Sequence, residues 1–199
     1  MSIVRVGFGF QADVLKRPHY TRLLSSLDIL LLPELADGGY AALQRGALPH
    51  TLTDPLISTI RTASHTLPCS IVAGSLFLND GDIAPTNSTL VFARGKLLHR
   101  YDKIHLFKPT NDPRYFQPGK LDPTTFALRI GSRSIRGGVV ICYDLRFPEL
   151  VRAMALKGMD VLFVPARWPR VRDNAWQTLL RARAIENQIF VLGCNAMGR

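Results

Sequence analysis

The chain has 199 residues, 47% of them apolar, and carries 25 lysines and arginines against 15 acidic residues for a formal charge of +10. That length and apolar share suit a single domain spanning 1–199 with one large core, and no run approaches the ~18 consecutive apolar residues of a membrane span. Nineteen of the basic residues are arginines scattered from Arg5 to Arg199, with no basic helix, aromatic RNA-binding signature or finger spacing, so nucleic acid is not the expected partner.

The opening MSIVRVGFGFQ lacks the long apolar region of a signal peptide, which makes a cytoplasmic location the expectation. A strand is predicted over 4–8 and a helix over 14–26. The apolar run 29–32 reads as a buried strand that delivers Pro33 and Glu34, and a carboxylate directly after four apolar residues is costly to bury unless paired or used. Glutamate occurs at only three positions, 34, 149 and 186, against twelve aspartates, so Glu34 is not one of many surface fillers. A helix is predicted over 55–65 and strands over 70–78, 88–93 and 96–100. The last of these leads into Asp102 and Lys103 within YDKIHLF, where an ammonium meets the same cost of burial; a solvated surface lysine is the alternative. A strand over 125–130 precedes the run 138–141, which delivers Cys142 into the charged turn YDLRFPEL.

In open α/β sheets the reactive groups sit just past the carboxyl ends of strands, and Cys142 has that placement. Alone it fits a small buried hydrophobe better than a nucleophile. Glu34 and Lys103, each at the end of its own strand, turn the reading toward a base, a cation and a thiol nucleophile. Beyond Cys142, a helix is predicted over 148–157, a strand over 161–164, a helix over 174–187 and a strand over 190–193. Glu149, after Pro148, suits the first turn of a helix, and Glu186 suits a structural role in closing the long helix. The alternation of strand and helix favours a layered α/β fold. Cys69, Cys142 and Cys194 form no C-x-x-C pair and the five histidines are scattered, so neither a disulfide framework nor a metal or other cofactor is expected.

Glu34 in LPEL, Lys103 in YDKIHLF and Cys142 in ICYDLRFPEL resemble, in order and context, the Glu-Lys-Cys triad of the nitrilase superfamily of carbon–nitrogen hydrolases. The resemblance runs on to the RARAIENQIFVLGCN segment. With the Trp168–Pro169 dipeptide and the W-x-x-L-L-x-A-R-A-I-E-N stretch from Trp176, it is most similar to the omega-amidase-like amidases. It implies an α-β-β-α sandwich that lacks the family's C-terminal part. It also implies a homodimer or higher homo-oligomer when complete, and hydrolysis of a small amide through a cysteine thioester with release of ammonia. An omega-amide of a dicarboxylic acid is the expected substrate; N-carbamoyl or nitrile hydrolysis, and a non-catalytic binding relative, are the alternatives. By the same resemblance Glu34 is general base, Lys103 stabilises the oxyanion with the Tyr143 backbone N–H, and Cys142 attacks. A supporting glutamate of the family has its counterpart here in Asp112, one methylene shorter. Tyr40, Phe116, Tyr143, Arg146, Arg167 and Trp168 are the candidate pocket residues, with Arg146 or Arg167 anchoring a substrate carboxylate. An activated Cys142 is expected to titrate below the ~8.5 of a free cysteine.

Overall fold

Ile29 and Leu31 face one core and Leu30 and Leu32 face another, so a single strand with period-2 alternation is buried on both sides. This strand, β2 (Ile29–Leu31), follows β1 (Val6–Phe8) and the short helix α1 (Thr21–Leu24). The computed structural model describes residues 4–9, 11–81 and 83–196; the last three residues of the terminal NAMGR lie outside them. After β2 come α2 (Gly39–Gln44), α3 (Pro55–Thr66), β3 (Ser70–Val72), β4 (Leu76–Leu78), β5 (Thr86–Ala93) and β6 (Lys96–Asp102). The chain continues with α4 (Asp112–Tyr115), β7 (Phe126–Ile130), β8 (Arg133–Val139), α5 (Pro148–Leu156), β9 (Val161–Ala166), α6 (Asp173–Asn187) and β10 (Phe190–Asn195).

The strands form two sheets. In the first, β1, β2 and β3 are parallel, and β5 runs antiparallel to β3 and β4 along one edge and to β6 along the other. In the second, β8, β9 and β10 are parallel and β7 is antiparallel to β8. One core joins Ile29, Leu31, Val72 and Val91 of the first sheet to Leu128, Val139, Phe163 and the inner residues of α5 and α6. The outer face of the first sheet is closed by Ile57 and Ile60 of α3. The order of layers is therefore helix, sheet, sheet, helix, the sandwich that the resemblance implies.

Several local expectations change. The helix over 14–26 is replaced by 3₁₀ segments at Ala12–Lys16 and Pro18–Tyr20 and by α1. Proline at 18 has no amide hydrogen to continue the bonding, and Arg17 before it is extended, as pre-proline residues prefer. The strand over 70–78 divides at Gly74, whose φ of +63° breaks it into β3 and β4. The strand before Cys142 begins earlier than the apolar run, at Arg133, and its pairing ends at Val139. The short α2 and α4 lack the long apolar period that announces a helix.

Candidate active site

Glu34, Lys103 and Cys142 meet at the ends of β2, β6 and β8, at one end of the two sheets. All three are buried, the carboxylate and ammonium side chains fully. Lys103 Nζ donates to Glu34 Oε1 at 2.8 Å and to Asp112 Oδ2 at 2.8 Å, so one cation lies between two carboxylates. Burial opposes the charge of Lys103, but Glu34, Tyr40, Cys142 and Asp112 outweigh it and hold the ammonium well above its usual range.

The backbone at these positions is unusual. Leu35 (φ +48°), Asn111 (φ +59°) and Cys142 (φ +48°) are left-handed, a conformation that asparagine tolerates but that leucine and cysteine adopt only when the surroundings enforce it. One lies directly after Glu34, one directly before Asp112, and one is the cysteine itself, so three of the site's side chains are aimed by left-handed turns. Cys142 opens a 3₁₀ turn, Cys142–Arg146, that follows an extended Ile141. Such a turn lifts the sulfur off the strand end toward the cleft.

Each of the other groups is fixed by its neighbours. Glu34 Oε1 also accepts from Asn87 Nδ2 at 3.0 Å, and Oε2 accepts from the Arg167 backbone N–H at 2.9 Å. Asp112 accepts from Tyr40 O–H (2.8 Å), Thr110 O–H (2.6 Å) and the Phe107 N–H (3.0 Å) besides Lys103. The side chain shorter than glutamate is thus accommodated by a loop that comes close enough for direct contact. Burial raises the Asp112 carboxyl, but Lys103 and these hydrogen bonds outweigh it and bring it below its usual value. Burial and the nearby Glu34 charge push the Cys142 thiol well above its ordinary value, against the smaller opposing pull of Lys103 and the Arg167 N–H. This corrects the expected low titration: burial beside a carboxylate favours the protonated sulfur.

The cleft over Cys142 is narrow, with about 20 Å³ open to a water's centre, room for one water. Tyr40, Tyr143, Arg146, Arg167 and Trp168 line it together with Phe107, Thr110 and Arg172. Phe116, expected here, does not line it: it packs with Leu35, Leu43 and Phe77 behind the Glu34 turn. Arg167 borders the cleft, but its guanidinium donates to the carbonyls of Glu34 (2.8 Å) and Leu35 (3.1 Å) and is committed to holding that turn. It lies so close over Gly39 that a Cβ there would overlap it. Arg146 is exposed and stacks 4.8 Å over the Trp168 ring, whose indole N–H donates to the Arg172 carbonyl at 3.0 Å. Arg146 and Arg172 are the two exposed cations at the mouth. Sequence reasoning missed Arg172, Asn87 and Asp144. Of these only Arg172 has a local signal, its place just after the Trp168–Pro169 turn.

The layers and the buried cluster together define an α/β sandwich with a Cys-Glu-Lys centre at one sheet end, a class that comparison with known proteins resolves further. The carbon–nitrogen hydrolase profile matches residues 21–199, and the chain belongs to this family, within the nitrilase superfamily. It is 37% identical over 171 residues to a hydrolase in the agr operon of Staphylococcus lugdunensis, covering 86% of this chain and 72% of that protein. It is 34% identical over 171 residues to 2-oxoglutaramate amidase of Bacillus subtilis, covering 86% and 64%. With omega-amidase YafV of Yersinia enterocolitica it shares 37% over 184 residues, covering 90% and 67%. The chain thus spans about two thirds of the length of these relatives. Among solved structures, the superfamily protein XC1258 of Xanthomonas campestris, which carries an arsenic adduct in its active site, superposes with TM-score 0.79 at 28% identity over all of this chain and 77% of its own.

Proposed function

We propose that this protein hydrolyses the terminal amide of a small dicarboxylic acid monoamide through a thioester on Cys142. The observation that carries the reading is the Lys103 ammonium, bridged between Glu34 and Asp112 at 2.8 Å beside a cysteine that opens onto a cleft. Cys142 Sγ attacks the amide carbon as Glu34 takes the thiol proton. The tetrahedral intermediate collapses with that proton passing to the leaving nitrogen, and ammonia departs. A water then enters, gives a proton to Glu34 and attacks the thioester; the C–S bond breaks, the proton passes from Glu34 to sulfur, and the carboxylic acid product leaves and gives its remaining proton to solvent. Lys103, with the Tyr143 backbone N–H, faces the oxyanion in both halves. A single donor of this kind typically lowers the barrier by about 2.7–4 kcal/mol.

The substrate class rests on the mouth of the cleft and on the names of the relatives. Arg146 and Arg172 offer two-pronged cationic partners for a distal carboxylate, whereas Arg167 is already committed. The same reading needs no metal or other cofactor, and takes the protein to be cytoplasmic, of one domain, and a homodimer or higher homo-oligomer when complete. The test is ammonia release from omega-amides of C4 and C5 dicarboxylic acids by the chain and by Cys142→Ala. Release that vanishes in the variant supports the amidase reading; no release from the folded chain, or release unaffected by the substitution, overturns it.

A further inference from the structure

The left-handed turn at Cys142 must be held by something, and the residue holding it is a third buried carboxylate, beside Glu34 and Asp112, that the mechanism above does not use. Asp144 is fully buried two residues after the nucleophile. Its Oδ2 accepts from the Ile141 N–H at 3.2 Å, just before Cys142, and its own N–H donates back to the Ile141 carbonyl at 3.0 Å. This closes a capping pair around the turn. The remaining acceptor capacity goes elsewhere. Oδ2 also accepts from Tyr101 O–H at 2.7 Å, and Oδ1 accepts from the His105 N–H at 2.8 Å and lies 2.8 Å from His105 Nδ1.

Tyr101 and His105 are the residues two before and two after Lys103. The His105 ring is also stacked at 3.4 Å on Phe147, which follows the nucleophile turn. One carboxylate therefore holds the segment that carries the cation on both sides and the turn that carries the sulfur. Bonds from neither segment alone would fix their separation, and a displacement of about 1 Å in reacting groups can cost 10²-fold in rate. We propose that Asp144 is a positioning residue that sets the Lys103 ammonium relative to the Cys142 sulfur by tying both segments to one buried carboxylate. The inference rests on the Cys-Glu-Lys reading above.

Two variants of the full chain test it: Asp144→Asn, which replaces an acceptor oxygen with a donor, and the milder Tyr101→Phe, which removes one hydroxyl. Two measurements are made, ammonia release and the iodoacetamide labelling rate of each cysteine by mass spectrometry. We expect kcat to fall about tenfold or more with KM within about twofold, by analogy with other misplaced catalytic groups. Cys142 labelling should slow in parallel, with Cys69 and Cys194, both buried elsewhere, unchanged. A merely structural role would instead loosen the fold and speed labelling of Cys69 and Cys194, and that result overturns the proposal. So does Tyr101→Phe or Asp144→Asn with kcat and Cys142 labelling as in the parent. If the parent releases no ammonia from any amide, the functional reading fails and the Cys142 labelling comparison alone decides the role of Asp144.

Discussion

Cys142 is protonated in the resting site because burial and the Glu34 carboxylate both disfavour a thiolate there. The rate of its alkylation should therefore rise with pH through a midpoint above the ~8.5 of a free cysteine. Glu34→Gln removes the opposing charge, so the midpoint should move down toward the free value while amide turnover is lost. An unchanged midpoint would mean that the carboxylate does not face the sulfur. Asp112 behaves in the opposite sense. Its folded-state value lies below the unfolded ~3.9, so it contributes stability above that pH that is lost as pH falls through the folded value. In urea unfolding between pH 5 and pH 3 the parent should lose more stability than Asp112→Asn, and equal losses would remove Asp112 from the ion cluster. Glu34 and Cys142 stood out in the sequence because each follows an apolar run, and Lys103, after the mixed stretch HRYD, stood out through the motif YDKIHLF that it shares with the family. Asn87 and Asp144 were not: each looks like an ordinary strand or turn polar residue, and its burial depends on partners 53 and 43 positions away.

At the level of elements, the site is built from strand ends, and the irregular turns between them carry the precision. Gly74 shows why. It separates β3 from β4 at φ +63°, and a Cβ there would overlap the carbonyl oxygen of Pro33, the residue before Glu34. The close approach continues into the base, since Ser75 N–H donates to the Pro33 carbonyl at 3.1 Å and the Ser75 hydroxyl oxygen accepts from the Leu35 N–H at 2.9 Å. Gly74→Ala should cost about 2 kcal/mol or more, combining an unfavourable left-handed alanine with a backbone clash, and should lower kcat through displacement of Glu34. Urea midpoint and turnover measured together check this; a stable, fully active variant would show that the turn does not set the base. The strands 29–32 and 88–93 were readable as short, largely apolar runs buried on both faces, and 96–100 as the strand that follows the turn at 94–95. The segment 70–78 read as one strand because nothing in an apolar run reveals a left-handed glycine. The 14–26 segment had helical spacing, and the proline within it overrode that spacing.

Across the whole molecule, a layered α/β fold was legible in the alternation of elements and the two-sheet sandwich in the family resemblance, but the face each sheet turns to the other emerges only from the shared core that joins distant residues such as Leu31, Val139 and Phe163. The charge of +10 is likewise visible in composition, and the structure places two of its arginines, Arg146 and Arg172, at the cleft mouth. A field of one sign around a narrow cleft attracts anions over distances set by the salt concentration, with a Debye length of about 30 Å at 0.01 M falling to about 8 Å at 0.15 M. A dicarboxylic monoamide should therefore lose kcat/KM severalfold as ionic strength rises from 0.01 M to 0.15 M, a loss carried mainly by KM. A neutral amide of the same length has no carboxylate for this field to act on, and its kcat/KM should change little. Arg146→Gln and Arg172→Gln test the local share: each should weaken the salt response for the anionic substrate while leaving the neutral one unaffected. If both substrates respond alike, the charge acts on the fold or on association rather than on substrate capture, and the choice of an anionic amide loses its electrostatic support.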